Sequence, residues 1–547
     1  MLMERYAQLS FRDQEDFEKN LRITVPENFN FAFDCVDELE RTQPEKTAMV
    51  WCNDKDEDAI FTFSDIRKNM DAAARFFASL GIGKGDTVLL ILKRRAQFWF
   101  AFLGLIKLGA IAVPATHQLT KKDIEYRNNA ASIKAIIAVD DESVLLEAEQ
   151  SRASSPSLCH LVKLGSDMRE GWINFDEGMK AHEKGGALPR VTENTDTMML
   201  YFTSGTTGPP KMVTHNHTYP LGHIVTARFW QNLHPGSLHL TVADTGWAKA
   251  AWGKLFGQWL CESAIFVYDH DYFDVKCLLE VISRFHVTSF CAPPTIYRYL
   301  IRSKLKAYDL SSLEWVTTAG EPLNAEVSRQ FKQKTGLDIR EAYGQTETTP
   351  VILTTPYMQP HFGFLGKPNP LYHVKLLAAN GQEAAIGEPG EICICSQPGV
   401  IPGVFTGYHL NDELTHSIWQ DGMYHTGDIA IKTDNGYMEF VGRDDDVIKA
   451  SSYRIGPFEV ESVLIEHPAV LECAVTGVPD PKRGQTVKAS IILADGYTPS
   501  DALAIELQQH VKDNTAPYKF PRIVEFVTEL PKTISGKIKR AELRENP

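Results

Sequence analysis

The stretch from Tyr201 to Lys211 (YFTSGTTGPPK) constrains this chain more than any other segment. Hydrophobic residues 198–202 predict a buried strand, so the Ser-, Thr- and Gly-rich residues after it leave the strand as a tight polar loop. Backbone N–H groups and hydroxyls in such a loop, with a nearby ammonium, suit a phosphate chain. The loop is not a Walker A motif, because Met212 follows Lys211. We predict a phosphate site rather than a polar surface loop, formed by Thr203, Ser204, Gly205, Thr206, Thr207, Gly208, Pro210 and Lys211.

Length and composition restrict both the architecture and the partners. A chain of 547 residues is too long for one hydrophobic core and predicts at least two domains. The formal net charge of −14 argues against nucleic acid as the main partner. Nine cysteines without a CxxC pair predict reduced thiols and argue against a structural zinc site.

Two segments bear on the cellular location. Residues 1–20 are polar and acidic, which is not typical of a signal peptide or a transit peptide. The most apolar run, residues 96–115, contains Lys107 and Pro114, which favours a buried helix, turn and strand over a membrane span. We expect a cytoplasmic protein without integral membrane contact, as a monomer or homodimer.

Strand and helix patterns alternate along most of the chain. Predicted strands at residues 47–51, 85–92 and 133–139 are separated by helical patterns, and the alternation continues through residues 264–268 and 313–317. This order predicts largely parallel sheets with helices on both faces. Ser64 should be the N-cap of one of these helices.

The pattern changes after residue 387 to short strands with Gly and Pro turns, and residues 442–446 form a charged break. A small α+β pattern follows this break. The predicted fold class is therefore α/β. It comprises a large N-terminal domain (1–443) of mostly parallel sheets with a β-rich subdomain, a hinge (444–446) and a small mobile α+β C-terminal domain (447–547).

Four further motifs follow the phosphate loop: residues 341–347 (EAYGQTE), 424–428 (YHTGD), 442–456 and 531–537 (PKTISGK). Together the five motifs resemble, in order and spacing, the adenylate-forming superfamily of acyl-CoA synthetases, luciferases and peptide-synthetase adenylation domains. Each motif alone is weakly specific, but five in this order are not expected by chance. Residues 243–247, 453–457 and 516–522 look most like medium-chain acyl-CoA synthetases.

The resemblance implies that a carboxylate attacks the α-phosphorus of ATP, which requires the charge of the phosphates to be neutralised. Glu347 would hold Mg²⁺, a hard cation that prefers oxygen ligands. Asp428 would bind the ribose hydroxyls, and Arg443 the ribose and phosphate. Tyr343 would stack on adenine opposite the turn of Gly320, Glu321 and Pro322. The other ATP-binding candidates of the second motif are Glu341, Ala342, Gly344, Gln345 and Thr346, and Thr346 is also a catalytic candidate.

Two half-reactions at one site need two arrangements of the domains. The resemblance implies that Lys537 bridges the carboxylate and the α-phosphate during adenylation and then swings away. Asp445 matches the family hinge, where a change in backbone torsion rotates the small domain. Acylation of Lys537 is a regulatory hypothesis, because it would remove the ammonium that adenylation needs.

The acid substrate is less tightly specified. In acetate-specific relatives a Trp fills the place of Gly344, so its absence predicts room for methylenes worth about 0.8 kcal/mol each when buried. Trp247 would form one wall of this acyl pocket. Short-chain, medium-chain, branched and aryl acids all remain open.

The acceptor predicted by the resemblance is coenzyme A, with ATP, Mg²⁺ and the acid as the other small-molecule partners. One departure from the family is Ser452, where a Gly is usual. The added Cβ restricts the backbone torsion φ, which predicts either tighter access to the site or a turn of different shape. The CoA contacts implied are Gln118, Ser451, Ser452, Tyr453, Arg454, Arg483, Lys512, Phe520, Pro521 and Arg522.

The predicted function is an ATP-dependent acyl-CoA ligase that acts through an acyl-adenylate. Three alternatives are a stand-alone enzyme that loads a carrier protein, a luciferase-like oxygenase and a non-catalytic scaffold. A scaffold would be expected to lack Glu347, Asp428 or Lys537, and all three are present.

Overall fold

The computed structural model describes residues 1–203, 209–450, 453–533 and 537–545. Strands within these ranges form four sheets, which we call sheets A to D. Sheets A and B belong to the first part of the chain and are mostly parallel, whereas sheets C and D are mostly antiparallel.

Sheet A has nine strands within the described residues, and its six central strands run parallel. The strands in spatial order are Lys367–Pro368, Ile352–Leu353, Ile339–Tyr343, Trp315–Ala319, Ser289–Cys291, Leu238–Thr241, Ala264–Asp269, Thr47–Asn53 and Asp58–Thr62.

Sheet B has eight strands within the same ranges, and it is parallel except where Lys211–Asn216 pairs with its two neighbours. The order is Gly407–Tyr408, Lys211–Asn216, Thr197–Thr203, Ile111–Pro114, Thr87–Ile91, Ala135–Ala138, His160–Lys163 and Ile173–Asn174.

Helices cover these two sheets. The most buried is Gln97–Leu108, whose Lys107 donates to Asp37 Oδ1 at 2.8 Å and Asp71 Oδ1 at 2.6 Å. These ion pairs allow a charged residue inside the core, as expected for a buried helix. The other helices before residue 340 are Leu2–Arg5, Gln14–Asn20, Ala32–Asp37, Glu38–Thr42, Phe63–Ser79, Lys121–Ala130, Glu142–Ser151, Arg152–Ser154, Phe175–Ala181, Tyr219–Ile224, Val225–Trp230, Ala248–Gly253, Phe256–Leu260, Val275–Arg284, Pro294–Arg302, Leu305–Ala307 and Ala325–Thr335.

The predicted N-cap at Ser64 is wrong, because the helix begins at Phe63 with Thr62 as its cap. Thr62 Oγ1 accepts from Asp65 N at 3.2 Å, and the Asp65 carboxylate accepts in return from Thr62 N at 2.9 Å. This reciprocal capping box satisfies two backbone donors, whereas a cap at Ser64 would satisfy one.

Sheet C forms the β-rich subdomain and contains Val374–Leu377, Pro389–Cys395, Met423–Lys432, Trp419–Gln420 and Met438–Arg443, with the helix Asp412–Ile418 beside it. Sheet D follows and contains Tyr453–Ile455, Ile448–Ala450, Gly484–Leu493, Val470–Asp480 and Ile523–Phe526. The helices of this last part are Pro457–Glu466, Asp501–Asn514, Pro517–Lys519 and Arg540–Glu545.

The predicted fold class is confirmed: two helix-flanked, mostly parallel sheets, a β-rich subdomain and an α+β C-terminal part follow one another in the expected order. No helix in the described part of the chain combines the length and apolarity needed to cross a bilayer.

Candidate active site

Strands of sheets A, B and C carry the predicted site residues. Thr203 ends a strand of sheet B, Tyr343 ends a strand of sheet A, and Asp428 lies in the long strand Met423–Lys432 of sheet C. Ligands of open α/β proteins bind at the carboxyl ends of parallel strands, and Thr203 and Tyr343 lie at ends of this kind. The chain fold therefore brings these three segments, far apart in sequence, to a common region.

Lys211, Tyr408 and Glu347 form one cluster. Lys211 Nζ lies 5.3 Å from the centre of the Tyr408 ring, and the Tyr408 hydroxyl donates to Glu347 Oε1 at 2.9 Å. Burial raises the pKa of Glu347, and the Tyr408 hydrogen bond and the Lys211 charge oppose that increase. This cluster places an ammonium, which suits a phosphate, near a half-buried carboxylate, whose oxygens are the kind of ligand that Mg²⁺ prefers.

Asp428 lies at the centre of a second cluster. Tyr343 Oη and Gln345 Nε2 donate to its Oδ2 at 2.7 and 2.6 Å, and Arg443 Nη1 lies 3.7 Å from its Oδ1. Burial raises the pKa of Asp428, and the Arg443 charge is the strongest opposing effect. Oδ2 is thus engaged by protein donors, whereas Oδ1 has the looser Arg443 contact and is the oxygen better placed to receive a ligand hydroxyl.

Glu341 supports the turn predicted to face adenine. Its Oε1 accepts from Leu323 N at 3.2 Å, directly after the turn of Gly320, Glu321 and Pro322. Gly320 has φ of +104°, a conformation that glycine adopts without strain. Because Glu341 is only 6% exposed, burial raises its pKa to about 8. Glu341 therefore positions the turn as a neutral carboxyl group at neutral pH.

The positive charge of Lys537 affects the pKa values of two groups in this region. It lowers the pKa of Asp428, in a strand of sheet C, and that of Lys249, in the helix Ala248–Gly253. Its backbone is held by Thr533, whose N–H donates to the Lys537 carbonyl at 2.7 Å. The charge of Lys537 thus acts on both the Asp428 cluster and Lys249.

Lys249 lies beside the predicted adenine turn, and the sequence analysis did not single it out. Its Nζ donates to Ala319 O at 3.0 Å and lies 5.7 Å from the Trp252 ring centre. Burial lowers the pKa of Lys249, and Glu321 and Lys537 are among the charges that act on it. A lysine two residues after Trp247 in the otherwise apolar helix Ala248–Gly253 was the available signal.

The structure gives a reason for glycine at position 344 that the argument from pocket volume did not include. A Cβ at this position would lie 2.9 Å from Thr349 O and 3.4 Å from Pro350 Cα, so any side chain here requires the backbone to move. Glycine is therefore required by close packing of the main chain, in addition to any effect on the acyl pocket. Trp247 is half-buried and precedes the first residue of the helix that carries Lys249.

The CoA candidates divide between two parts of the chain. Lys512 Nζ and the Arg522 guanidinium lie 4.1 and 4.6 Å from the Phe520 ring centre, and Tyr453 stacks on Tyr518 at 3.9 Å. These residues, with the exposed Arg454 and Arg483, belong to the C-terminal part, whereas the exposed Gln118 follows a strand of sheet B. The structure thus gathers Lys512, Phe520 and Arg522 into one basic patch.

Several predicted residues lie outside the described ranges, and two others are described by contacts of their main-chain oxygens. Ser204, Gly205, Thr206, Thr207, Gly208, Ser451 and Ser452 fall outside the described residues. Thr346 O contacts buried His215 Nε2 at 2.8 Å, and Pro210 O accepts from Tyr126 Oη at 3.1 Å.

The sequence analysis also missed Tyr408, because none of the five motifs includes this residue.

The predicted hinge, residues 444–446, makes hydrogen bonds both to the part of the chain before it and to the part after it. Asp444 N donates to Gly427 O at 2.9 Å, and Arg443 Nε donates to Asp445 Oδ1 at 3.1 Å. From the C-terminal helix, Arg544 Nη1 donates to Asp445 O at 2.9 Å and to Asp446 Oδ1 at 3.0 Å. A rotation at this turn would have to exchange these polar contacts.

Comparison with protein families agrees with this geometry. Residues 36–409 match the AMP-binding enzyme family, and residues 459–537 match the AMP-binding enzyme C-terminal domain. The chain is 40% identical to mitochondrial acyl-coenzyme A synthetase ACSM3 of Rattus norvegicus, over 98% of this chain and 93% of the rat protein. It is also 40% identical to mitochondrial acyl-coenzyme A synthetase ACSM5 of Homo sapiens, over 96% and 91% of the two chains.

Solved structures show the same fold. The anthranilate CoA ligase AuaEII in complex with anthranoyl-AMP superposes with a TM-score of 0.87 at 31% identity, covering 95% of this chain and 98% of that ligase. A benzoate CoA ligase from Burkholderia xenovorans LB400 superposes with a TM-score of 0.82 at 26% identity, over 94% and 100% of the two chains. The resemblance drawn from the five motifs is thus confirmed. The chain belongs to the AMP-binding enzyme family and is an AMP-forming, ATP-dependent acyl-CoA ligase.

Proposed function

We propose that the two clusters and Lys537 perform adenylation together. The supporting observation is that Tyr408 contacts both Lys211 and Glu347, while Gln345, two residues before Glu347, donates to Asp428 at 2.6 Å. The charge of Lys537 in turn lowers the pKa of Asp428. Lys211 and the loop before it bind the β- and γ-phosphates, and Asp428 binds the ribose. Lys537 offsets the charge between the acid carboxylate and the α-phosphate.

Glu347 is proposed to hold Mg²⁺, which when bound neutralises phosphate charge and fixes the leaving group. The donor set fits a hard cation, since Glu347 offers a carboxylate whose Oε1 is already oriented by Tyr408 at 2.9 Å. Tyr408 is thus a positioning residue. Arg443 is held at the ribose side by Asp428 and Asp445. Tyr343 and the Gly320 turn, supported by Glu341, remain the proposed adenine site.

The substrate is proposed to be a short-to-medium-chain or branched fatty acid, and the acyl group is placed between Trp247 and Lys249. Lys249 is held by Ala319 O at the end of a sheet A strand, next to the turn at Gly320. Its side chain, held by that hydrogen bond, is proposed to limit the depth available to an alkyl chain on that side. A compact or branched acyl group fits such a space better than a long one.

An aryl acid is the second candidate, because two of the similar structures are named as anthranilate and benzoate CoA ligases. A planar ring could pack against Trp247 while its carboxylate faced Lys537. Acids of both classes therefore belong in the same assay.

Thioester formation is proposed to follow a rotation at Asp445 that removes Lys537 and brings the CoA patch to the site. The patch of Lys512, Phe520 and Arg522 offers two cations and an aromatic face, which suit a nucleotide with phosphates. Gln118, on the large domain, would contact CoA from the other side, and Ser452 would narrow the entrance. The division into residues 1–443, 444–446 and 447–547 follows from this proposal.

Location and assembly are part of the proposal as well. The relatives named above are mitochondrial proteins, whereas the first 20 residues predict a cytoplasmic one. Imaging of the protein in cells decides between the two compartments. A monomer or homodimer is expected, since one chain supplies every proposed role.

The test of this function is AMP release that depends on both ATP and CoA. The panel runs from acetate to decanoate and includes 2-methylbutyrate and benzoate. A maximum between four and eight carbons, or at a branched acid, supports the proposal. A maximum at benzoate selects the aryl alternative. A maximum at acetate, or ATP–pyrophosphate exchange without any CoA-dependent product, contradicts it.

A further inference from the structure

Three potential metal ligands meet on the face of sheet C. Cys393 and His425 are directly opposite each other in the antiparallel pair formed by Pro389–Cys395 and Met423–Lys432. Glu391 lies two residues before Cys393, across a register irregularity in this strand pair, and its carboxylate faces the His425 ring. The ligand atoms of the three side chains all lie within 4.8 Å of one another.

One ring nitrogen faces both of the other groups. His425 Nδ1 lies 3.6 Å from Cys393 Sγ and 2.9 Å from Glu391 Oε2. A nitrogen with a single proton or lone pair can make one good hydrogen bond at a time. The Glu391 contact is at hydrogen-bond distance and the Cys393 contact is longer, so the three groups lie close enough together to share one ion.

The spacing agrees with tetrahedral coordination. A Zn²⁺ ion with Zn–N of about 2.0 Å and Zn–S of about 2.3 Å separates these two ligands by roughly 3.5 Å. The observed separation of sulfur and nitrogen is 3.6 Å. The Glu391 oxygen is about half an ångström closer to the nitrogen than a tetrahedral edge requires. The Glu391 side chain is 25% exposed, which leaves it room to rotate by that amount.

We propose that Glu391, Cys393 and His425 form a binding site for Zn²⁺ or a similar borderline-soft divalent ion. Water completes the coordination at the exposed side, where the His425 side chain is 26% accessible. Cys393 releases its thiol proton to solvent when it coordinates the ion. The thiolate and imidazole ligands distinguish this site from Glu347, whose oxygen ligands suit Mg²⁺.

The second oxygen of Glu391 connects this site to the ribose motif. Glu391 Oε1 accepts from Gly427 N at 2.9 Å, next to Asp428. Coordination through Oε2 leaves that hydrogen bond in place. A bound ion would therefore cross-link two strands and hold the Gly427 turn, which makes it a stabilising clamp for the segment that carries Asp428.

The test uses the full-length enzyme, stripped of metal by a chelator and then titrated with Co²⁺. Thiolate coordination gives Co²⁺ a charge-transfer band in the near ultraviolet. The wild-type enzyme should show this band at one equivalent, and Cys393→Ser and His425→Gln should each abolish it. The melting temperature should rise with Zn²⁺ in the wild type and not in these two variants.

The matched control is Cys159→Ser, which removes an exposed cysteine outside sheet C. It should retain both the band and the stabilisation by Zn²⁺. If the wild type shows no thiolate band, or if the band survives in either Cys393→Ser or His425→Gln, the proposal is wrong and the three residues form a hydrogen-bonded group only. Two separate variants keep the test decisive if one of them folds poorly.

Discussion

The protonation of Glu341 gives a stability prediction that can be worked through in numbers. The carboxyl group is 6% exposed, and its burial raises the pKa from 4.5 to about 8 in the folded protein. Between these values the folded state retains a proton that the unfolded state has lost. The contribution of this proton to the free energy of unfolding is therefore full below pH 4.5. It declines by about 1.4 kcal/mol per pH unit as the pH rises towards 8.

Glu341→Gln removes this titration and keeps an oxygen that accepts from Leu323 N. Relative to the variant, the wild type should lose about 3 kcal/mol of unfolding free energy between roughly pH 5.5 and pH 8. Urea denaturation of both proteins across this range, followed by tryptophan fluorescence, measures the difference. The reasoning is refuted if the two denaturation midpoints shift in parallel with pH.

Two further predictions concern the site itself. Tyr408→Phe removes the hydrogen bond to Glu347 Oε1. Because that bond is made to a charged group, the Mg²⁺ concentration for half-maximal AMP formation should rise about tenfold. An unchanged Mg²⁺ dependence would rule out the positioning role of Tyr408. Lys249→Ala removes the bond to Ala319 O and frees space for about three methylenes, so the preferred acid in the AMP-release panel should lengthen by about two to three carbons. The same chain-length optimum in the variant would place the acyl group elsewhere.

Local patterns predicted most of the fold, because each strand and helix carries its own signal. Residues 47–51 and 264–268 were predicted as strands from β-branched and aromatic residues, and they became the neighbours Thr47–Asn53 and Ala264–Asp269. The N-cap was misplaced by two residues, since Thr62 and Asp65 form a reciprocal pair that Ser64 cannot form.

The site was predictable where a motif carried it and not where tertiary contacts did. Glu347 and Asp428 lie in motifs, but Tyr408, the hydrogen-bond partner of Glu347, is 61 residues away from it, and no local pattern indicates that bond. Gly344 was interpreted from pocket volume, whereas the close approach of Thr349 O is visible only in three dimensions. The group of Glu391, Cys393 and His425 likewise depends on the register of two strands.

The half-reactions of Lys537→Ala test the central account most directly. ATP–pyrophosphate exchange with the preferred acid measures adenylation, and thioester formation from supplied acyl-AMP and CoA measures the second step. Because Lys537 is assigned to offset charge only during adenylation, exchange should fall by at least about a hundredfold while thioester formation stays close to wild type. An equal loss of both half-reactions, or retention of exchange, would contradict the account.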